Sequence, residues 1–353
     1  VETSSTSCNS NKSCNKNCQP QGLALLGKFS EVKECSDFFL EGTTPNLPGI
    51  LVDGTVKDQN RYKPICQLFK YMKKKVVVYN YMFATLYDTT NKIPVFSAFT
   101  FTGVGSSEER PTWMIEPQLD GEPDPDMSLE NDGVTYTHQA VNQDFDNSVN
   151  PTGLEKGHIF PKSYANQPAN QNSTFTLTNC VPQVQSFNDG SWGTMERKVR
   201  KILLKQCLDN TGKPKAYVVT GAVPSKSNTL NNRVNIPSLL WTAYCCKNKQ
   251  GTWVAGAHWG ENKKETGKET LPSNTLADLY KMLNQYYGDV KHSNDGVKVF
   301  PDDCQNGKQD DTGRNGEAGA GQKRHGEMSG ESKVKHKRGQ ENSPPGFLRP
   351  RVY

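Results

Sequence analysis

Leu154-Glu155-Lys156-Gly157-His158-Ile159-Phe160-Pro161 is the stretch on which the reading of this chain turns. A histidine beside a glycine, with Glu and Lys just before it and Pro soon after, is held on a constrained turn. In isolation it would be an ordinary surface or core histidine. The next forty residues change that. Asn179-Cys180-Val181-Pro182-Gln183 is followed by Ser186-Phe187-Asn188-Asp189-Gly190-Ser191-Trp192 and then by Met195-Glu196-Arg197. Polar amides at a strand end and at a helix entrance are an odd choice unless something there needs oxygen ligands. Phosphodiester hydrolysis needs few parts: a base to strip a water, and a cation to neutralise charge on the phosphate and the leaving oxygen. Neutral histidine suits the first task, because its reference pKa of about 6.5 lies near physiological pH. Mg²⁺ suits the second, since it keeps several waters and accepts few protein oxygens. One histidine, one asparagine and a supporting carboxylate therefore make a complete site.

Working outward, Val76–Tyr87 and Ile93–Thr102 are dense in β-branched and aromatic residues, and Asp88–Lys92 is the turn that makes them a hairpin. Ala216–Ala222, Leu239–Cys246 and Trp253–His258 are predicted as further strands, the last two joined through Lys247–Thr252. Trp192, Met195, Val199, Ile202 and Leu203 recur at three- and four-residue steps, which predicts a helix over Ser191–Leu208 with Ser191 as N-cap. Leu276, Leu279, Tyr280 and Leu283 predict a second helix over Thr275–Tyr287. Strands interrupted by a few helices, without regular βαβ alternation, indicate an α+β domain.

The chain has 353 residues, and its 33% hydrophobic content is unevenly spread. Residues 1–34 are rich in Ser, Asn, Lys and Cys and are expected to form a weakly ordered arm. Residues 306–353 are almost free of large apolar side chains and are expected to be a disordered basic tail, with ten Lys or Arg against six Asp or Glu. The domain is expected over residues 35–305. A net charge of +5 is compatible with an anionic partner but decides nothing. Ten widely scattered cysteines fit disulfides in an oxidising compartment better than a zinc cage. Cys35 with Cys66, and Cys207 with Cys245 or Cys246, are the expected pairs. No apolar run reaches the roughly 18 residues that cross a bilayer, so no membrane partner is expected. Sequons at Asn11 and Asn172 add slightly to a secreted, extracellular reading.

Glu-Lys-Gly-His, then Asn-x-x-Pro-Gln, then Asn-x-Gly-x-Trp, with Glu196 eight residues after Asn188, resembles the DNA/RNA non-specific endonucleases. Within them the likeness is greatest to the vertebrate endonuclease domain-containing 1-like proteins. Supporting stretches include Cys35–Phe39, Phe83–Asp88, Arg110–Leu119 and Gly256–Gly260, and the likeness extends over residues 35–304. It implies a ββα-metal nuclease core with a mixed or antiparallel sheet, flanking helices and stabilising disulfides. It further implies His158 as general base, Asn188 as metal ligand, Glu196 holding metal-bound water, and Asn179 orienting groups near the base. Lys156 would set a positive charge against the scissile phosphate, with Arg110 as a second clamp. Magnesium is the implied cofactor, with manganese as a substitute, and DNA and RNA are the implied substrates.

Two departures stand out. The usual Asp-Arg pair is here Glu155-Lys156, which keeps charge but gives up the planar guanidinium that grips phosphate. Eight residues of ideal helix also span about 12 Å, so Asn188 must precede the helix and fold back if it is to share a site with Glu196. The alternative reading is a catalytically weak or inactive pseudo-nuclease that binds nucleic acid or polyanions. Oligomeric state is not legible.

Overall fold

The computed structural model describes residues 23–108, 110–146, 153–267, 270–287 and 296–305. The expected tail at 306–353 and the cysteines at 8, 14 and 18 lie outside them. Six antiparallel strands build the central sheet: β1 (Tyr62–Lys73), β2 (Val76–Asp88), β3 (Ile93–Phe101), β6 (Ala216–Val223), β7 (Leu239–Lys247) and β8 (Trp253–Glu261). Their spatial order is β8-β7-β6-β3-β2-β1. A separate antiparallel pair joins β4 (Leu154–His158) to β5 (Cys180–Val184). The main helices are α1 (Pro168–Ser173), α2 (Gly193–Gln206) and α3 (Leu276–Tyr287). The expected α+β class and its antiparallel sheet are thus present, and β4, β5 and α2 form a ββα unit.

The pleat of a strand sends successive side chains to opposite faces, so one strand can serve two cores. Along β7, Trp241, Ala243 and Cys245 enter one buried cluster, whereas Leu240, Tyr244 and Cys246 enter the other. Leu276, Leu279, Tyr280 and Leu283 of α3 cover the first face. Met195, Val199 and Leu203 of α2 cover the second, together with Val181 of β5. Each such side chain removed from water contributes about 1.5–3 kcal/mol, so the sheet is clamped from both sides.

Disulfides follow the same alternation. Cys207, at the end of α2, bonds to Cys246, and Cys245 on the opposite face bonds to Cys304. The expected Cys35–Cys66 bridge is present. Cys180 is buried and unbridged.

The segment expected to be a weak arm is not loose where it is described. Ala24, Leu26 and Phe29 are buried, and Ala24 accepts a backbone hydrogen bond from Cys66 (2.7 Å). Strand β1 escapes the sequence reading altogether. The helix entrance also differs from expectation. Asn188–Trp192 forms a single wide π turn, and Ser191 gives its hydroxyl to Glu265 (2.5 Å) instead of capping α2.

Candidate active site

His158 ends β4, opposite Cys180 of β5. The chain past this histidine is fastened by Asn179, whose side chain is wholly buried and fully used. Its Oδ1 accepts from Phe160 N (2.9 Å) and Ser97 Oγ (3.0 Å), while its Nδ2 donates to the carbonyls of Phe160 (3.2 Å) and Thr174 (3.0 Å). Asn179 therefore fixes the backbone just beyond His158 and has no donor or acceptor left for a substrate. Trp113 and Phe175 flank the imidazole with ring centroids at 4.6 and 4.8 Å. Nε2 of His158 is buried and has no hydrogen-bond partner. Burial, reinforced by Lys162 and Arg110, pushes the imidazole down to about 3, so the ring is neutral at physiological pH.

A cavity of about 270 Å³ opens at this ring, lined by His158, Lys162, Asn188, Asp189, Glu196 and Arg197 among others. At the wide turn Asn188–Trp192, Gly190 (ψ −115°) departs from helical geometry, and Asn188 and Glu196 line the same cavity. Nδ2 of Asn188 donates to Glu155 Oε1 (2.7 Å). That bond fixes the amide and leaves its carbonyl oxygen as the atom able to face a cation. Glu196 accepts from Trp192 Nε1 (3.0 Å), and burial raises its carboxyl to about 7. Burial here outweighs the Trp192 hydrogen bond and the fields of Arg197 and Arg200, which favour the ionised form. An amide oxygen and such a carboxylate are hard donors, and they fit a small divalent cation that keeps most of its waters. Among the described residues there is no cluster of three His, Cys, Asp or Glu, so an all-protein cage is not on offer. A larger cavity of about 530 Å³ lies between Phe29–Ser30, Thr43–Thr44 and Lys298–Asp302, and contains none of these groups.

The sequence-predicted residues thus divide. His158, Asn188 and Glu196 meet in one cavity, and Asn179 holds the segment just beyond His158. Lys156 does not line the cavity. Its Nζ donates to Asn142 Oδ1 (2.8 Å) and rests over the rings of Phe145 (5.4 Å) and Trp113 (5.9 Å), while burial lowers its pKa. Arg110 is exposed and reaches His158 only through its field. Sequence reasoning missed the two cations that do line the cavity, Lys162 and Arg197, although Arg197 stands inside a quoted motif block and Lys162 directly follows one. It also missed the Trp113 and Phe175 walls, whose aromatic character alone carried no signal. His258 is buried with Nδ1 2.7 Å from the Pro272 carbonyl. His138 sits 3.0 Å from Asp120, outside the cavity.

The pattern of the DNA/RNA non-specific endonucleases matches residues 69–286. The human Endonuclease domain-containing 1 protein is 33% identical over 262 residues, which is 71% of this chain and 45% of that protein. Its mouse counterpart is 31% identical over 305 residues, 82% of this chain and 51% of its own length. The chain therefore spans about half the length of these curated relatives. A Nostoc nuclease is 27% identical over 106 residues, 30% of this chain and 36% of its own. Among solved structures, a chain of the EndoG/EndoGI complex superposes with a TM-score of 0.43 at 16% identity, over 61% of this chain and 83% of that one. At that distance the likeness assigns no residue. The sequence match extends over most of the sheet, both strands of the ββα unit and helix α2, and on that extent the chain belongs to the DNA/RNA non-specific endonuclease family.

Proposed function

We propose that the chain is a secreted, divalent-metal-dependent endonuclease that hydrolyses DNA and RNA with little sequence preference. The observation that carries this reading is the buried, unpartnered Nε2 of His158, on a ring that lines a cavity together with Asn188, Glu196, Lys162 and Arg197. In the step, Nε2 takes a proton from a water whose oxygen attacks phosphorus. The bond from phosphorus to the leaving oxygen breaks, and that oxygen takes a proton from solvent. Asn188 and Glu196 would hold Mg²⁺, or Mn²⁺ in its place, which supplies charge neutralisation on the phosphate and the leaving oxygen. Lys162 and Arg197 bring fixed positive charge to the same phosphate.

A base with a pKa near 3 binds protons poorly, yet part of that depression is electrostatic and comes from Lys162 and Arg110. A bound phosphodiester brings negative charge against those cations and raises the imidazole toward the working range. Charge directed at the phosphate rather than at base edges accounts for weak sequence preference. The three disulfides support an oxidising, extracellular location.

One observation favours a second reading, a binding protein that does not cut: Lys156 is committed to Asn142 and does not line the cavity. Plasmid nicking and RNA degradation by purified protein, in Mg²⁺ and in EDTA, separate the two. Metal-dependent cutting that disappears in His158→Ala supports the enzyme. Inert wild type that still retains DNA in a salt-dependent way supports the binder.

A further inference from the structure

Strands β1 and β2 run past the body of the sheet. β2 pairs with β3 only over Ala84–Asp88, so its outer half has β1 as its one neighbour. Among the described residues, no backbone hydrogen bond ties β1 beyond Lys70 to anything but β2. Residues 71–80 therefore form a projecting two-stranded ribbon, turned at Lys74 and Lys75, both in the left-handed region (φ 51° and 67°).

The ribbon's surface has an unusual make-up. Met72 is 63% exposed, Val76 62% and Val77 45%. Cross-strand register sets Met72 beside Val77 and Lys70 beside Tyr79, on the same face as Tyr81. Tyr81 gives its hydroxyl to the Leu23 carbonyl (3.3 Å), and Leu23 is itself 57% exposed. An apolar stripe thus runs from Leu23 through the tyrosines to the ribbon's end. Four lysines, at 70, 73, 74 and 75, border it, and no acidic residue occurs from Tyr62 to Tyr87. The nearest acids, Asp126 against the Lys70 amide and Glu34 near Tyr81, sit at the root.

Charge decides among the occupants. A second copy pairing edge to edge would bring like charges together, the device by which natural edge strands resist self-association. The occupant is therefore anionic. Nucleic acid satisfies the lysines but offers little to exposed Met72, Val76 and Val77. An anionic bilayer satisfies both, with phosphate groups for the lysines and the acyl boundary for the aliphatic side chains. We propose that this ribbon docks the protein, peripherally, on membranes rich in acidic phospholipid. The sequence-based expectation of no membrane partner rested on the lack of a spanning segment. No helix of the described residues is long and apolar enough to cross a bilayer, and surface docking needs none.

The test is vesicle co-sedimentation in EDTA, with phosphatidylcholine vesicles with or without phosphatidylserine. Binding is expected only with phosphatidylserine and falls as salt rises. Lys73→Glu/Lys74→Glu/Lys75→Glu weakens it by about a hundredfold or more. Met72→Ser/Val77→Ser weakens it roughly tenfold. Both variants alter exposed residues outside the cavity, and an unchanged thermal melt confirms their fold. No binding to phosphatidylserine vesicles overturns the proposal, as does binding that survives the lysine reversals. Loss with the lysine reversals but not with Met72→Ser/Val77→Ser overturns it too, since that pattern marks a general polyanion patch.

Discussion

Replacing Gly157 with alanine tests how tightly the base is held. A Cβ at that position would overlap the buried side chain of Gln183, with Gln183 Cβ at 2.6 Å and Cδ at 2.9 Å as well as contact with Oε1. The amide could swing aside, but Cβ is fixed to the β5 backbone. Relief to an ordinary carbon contact of about 3.5 Å requires β4 and β5 to part by roughly 1 Å. Overpacking of that kind costs about 1–3 kcal/mol, which is about 2–12 °C in Tm at roughly 2–4 °C per kcal/mol for a domain of this size. His158 is the next residue, and a displacement of about 1 Å at a reacting group costs on the order of a hundredfold in rate. Gly157→Ala should therefore lose both stability and cleavage. Gln183→Gly removes the obstructing atoms at its own cost of about 0.5–1 kcal/mol, and in that background Gly157→Ala should be nearly neutral. Calorimetry and single-turnover plasmid cleavage on the four-variant cycle give the answer. Equal losses from Gly157→Ala in both backgrounds, or none in the wild type, would refute the contact as the reason for glycine.

Lys162→Ala should lower kcat/KM by about 10²–10³-fold, the usual cost of a lost charge-stabilising donor. Lys156→Ala should instead lower Tm, because it removes a charged hydrogen bond to Asn142 worth about 1.5–3 kcal/mol; the reverse pattern of losses would restore Lys156 as the phosphate clamp. Glu155→Ala releases the Asn188 amide and should weaken Mg²⁺ activation about 10–100-fold, read as a shifted metal titration with near-normal rate at saturation. Burial raises Glu196 from 4.5 to about 7, so the advantage of its neutral form is present below the unfolded value and lost as pH rises through about 7. In metal-free protein, Glu196→Gln should gain about 3 kcal/mol over wild type at pH 8 and less than about 1 kcal/mol at pH 5; equal gain at both pH values in urea titrations would contradict this. Removing the Cys245–Cys304 bridge, which closes 59 residues, should cost about 4 kcal/mol on the chain-entropy model, measured by denaturant unfolding of the double serine variant.

How far the fold was legible depended on local pattern. β2, β3, β6, β7 and β8 are runs of β-branched and aromatic residues with turns between, and their boundaries fall near expectation. β1 was hidden because Pro64, Gln67 and the lysines break its apolar rhythm, and because Lys74-Lys75 is not a sequence that announces a hairpin turn. Its place is set by tertiary contacts, with Gln67 bonded to Thr85 and Thr178 in the interior. Cys207 could not be matched from sequence because the choice between adjacent cysteines is a choice of sheet face, and that needs the register of β7.

The site was legible in residue type and illegible in direction, and the Glu155-Lys156 pair shows why. Charge conservation suggested that each residue does the work of the Asp or Arg it replaces, slightly less well. Strand alternation separates them: Glu155 projects opposite to Lys156, and its carboxylate reaches Asn188 at 2.7 Å. Lys156 shares a face with His158, and both lie against Trp113, yet its long stem carries the ammonium on to Asn142. A flexible ammonium settles wherever a partner and an aromatic face coincide, whereas a guanidinium needs a planar partner to hold it. The cations that line the cavity are instead Lys162, four residues beyond His158, and Arg197, next to Glu196. Redistribution of charge around an unchanged His158, Asn188 and Glu196 set is compatible with turnover in a way that simple loss of the clamp is not. The activity of Lys162→Ala therefore bears more directly on whether this chain cuts than the identity of the residue at position 156.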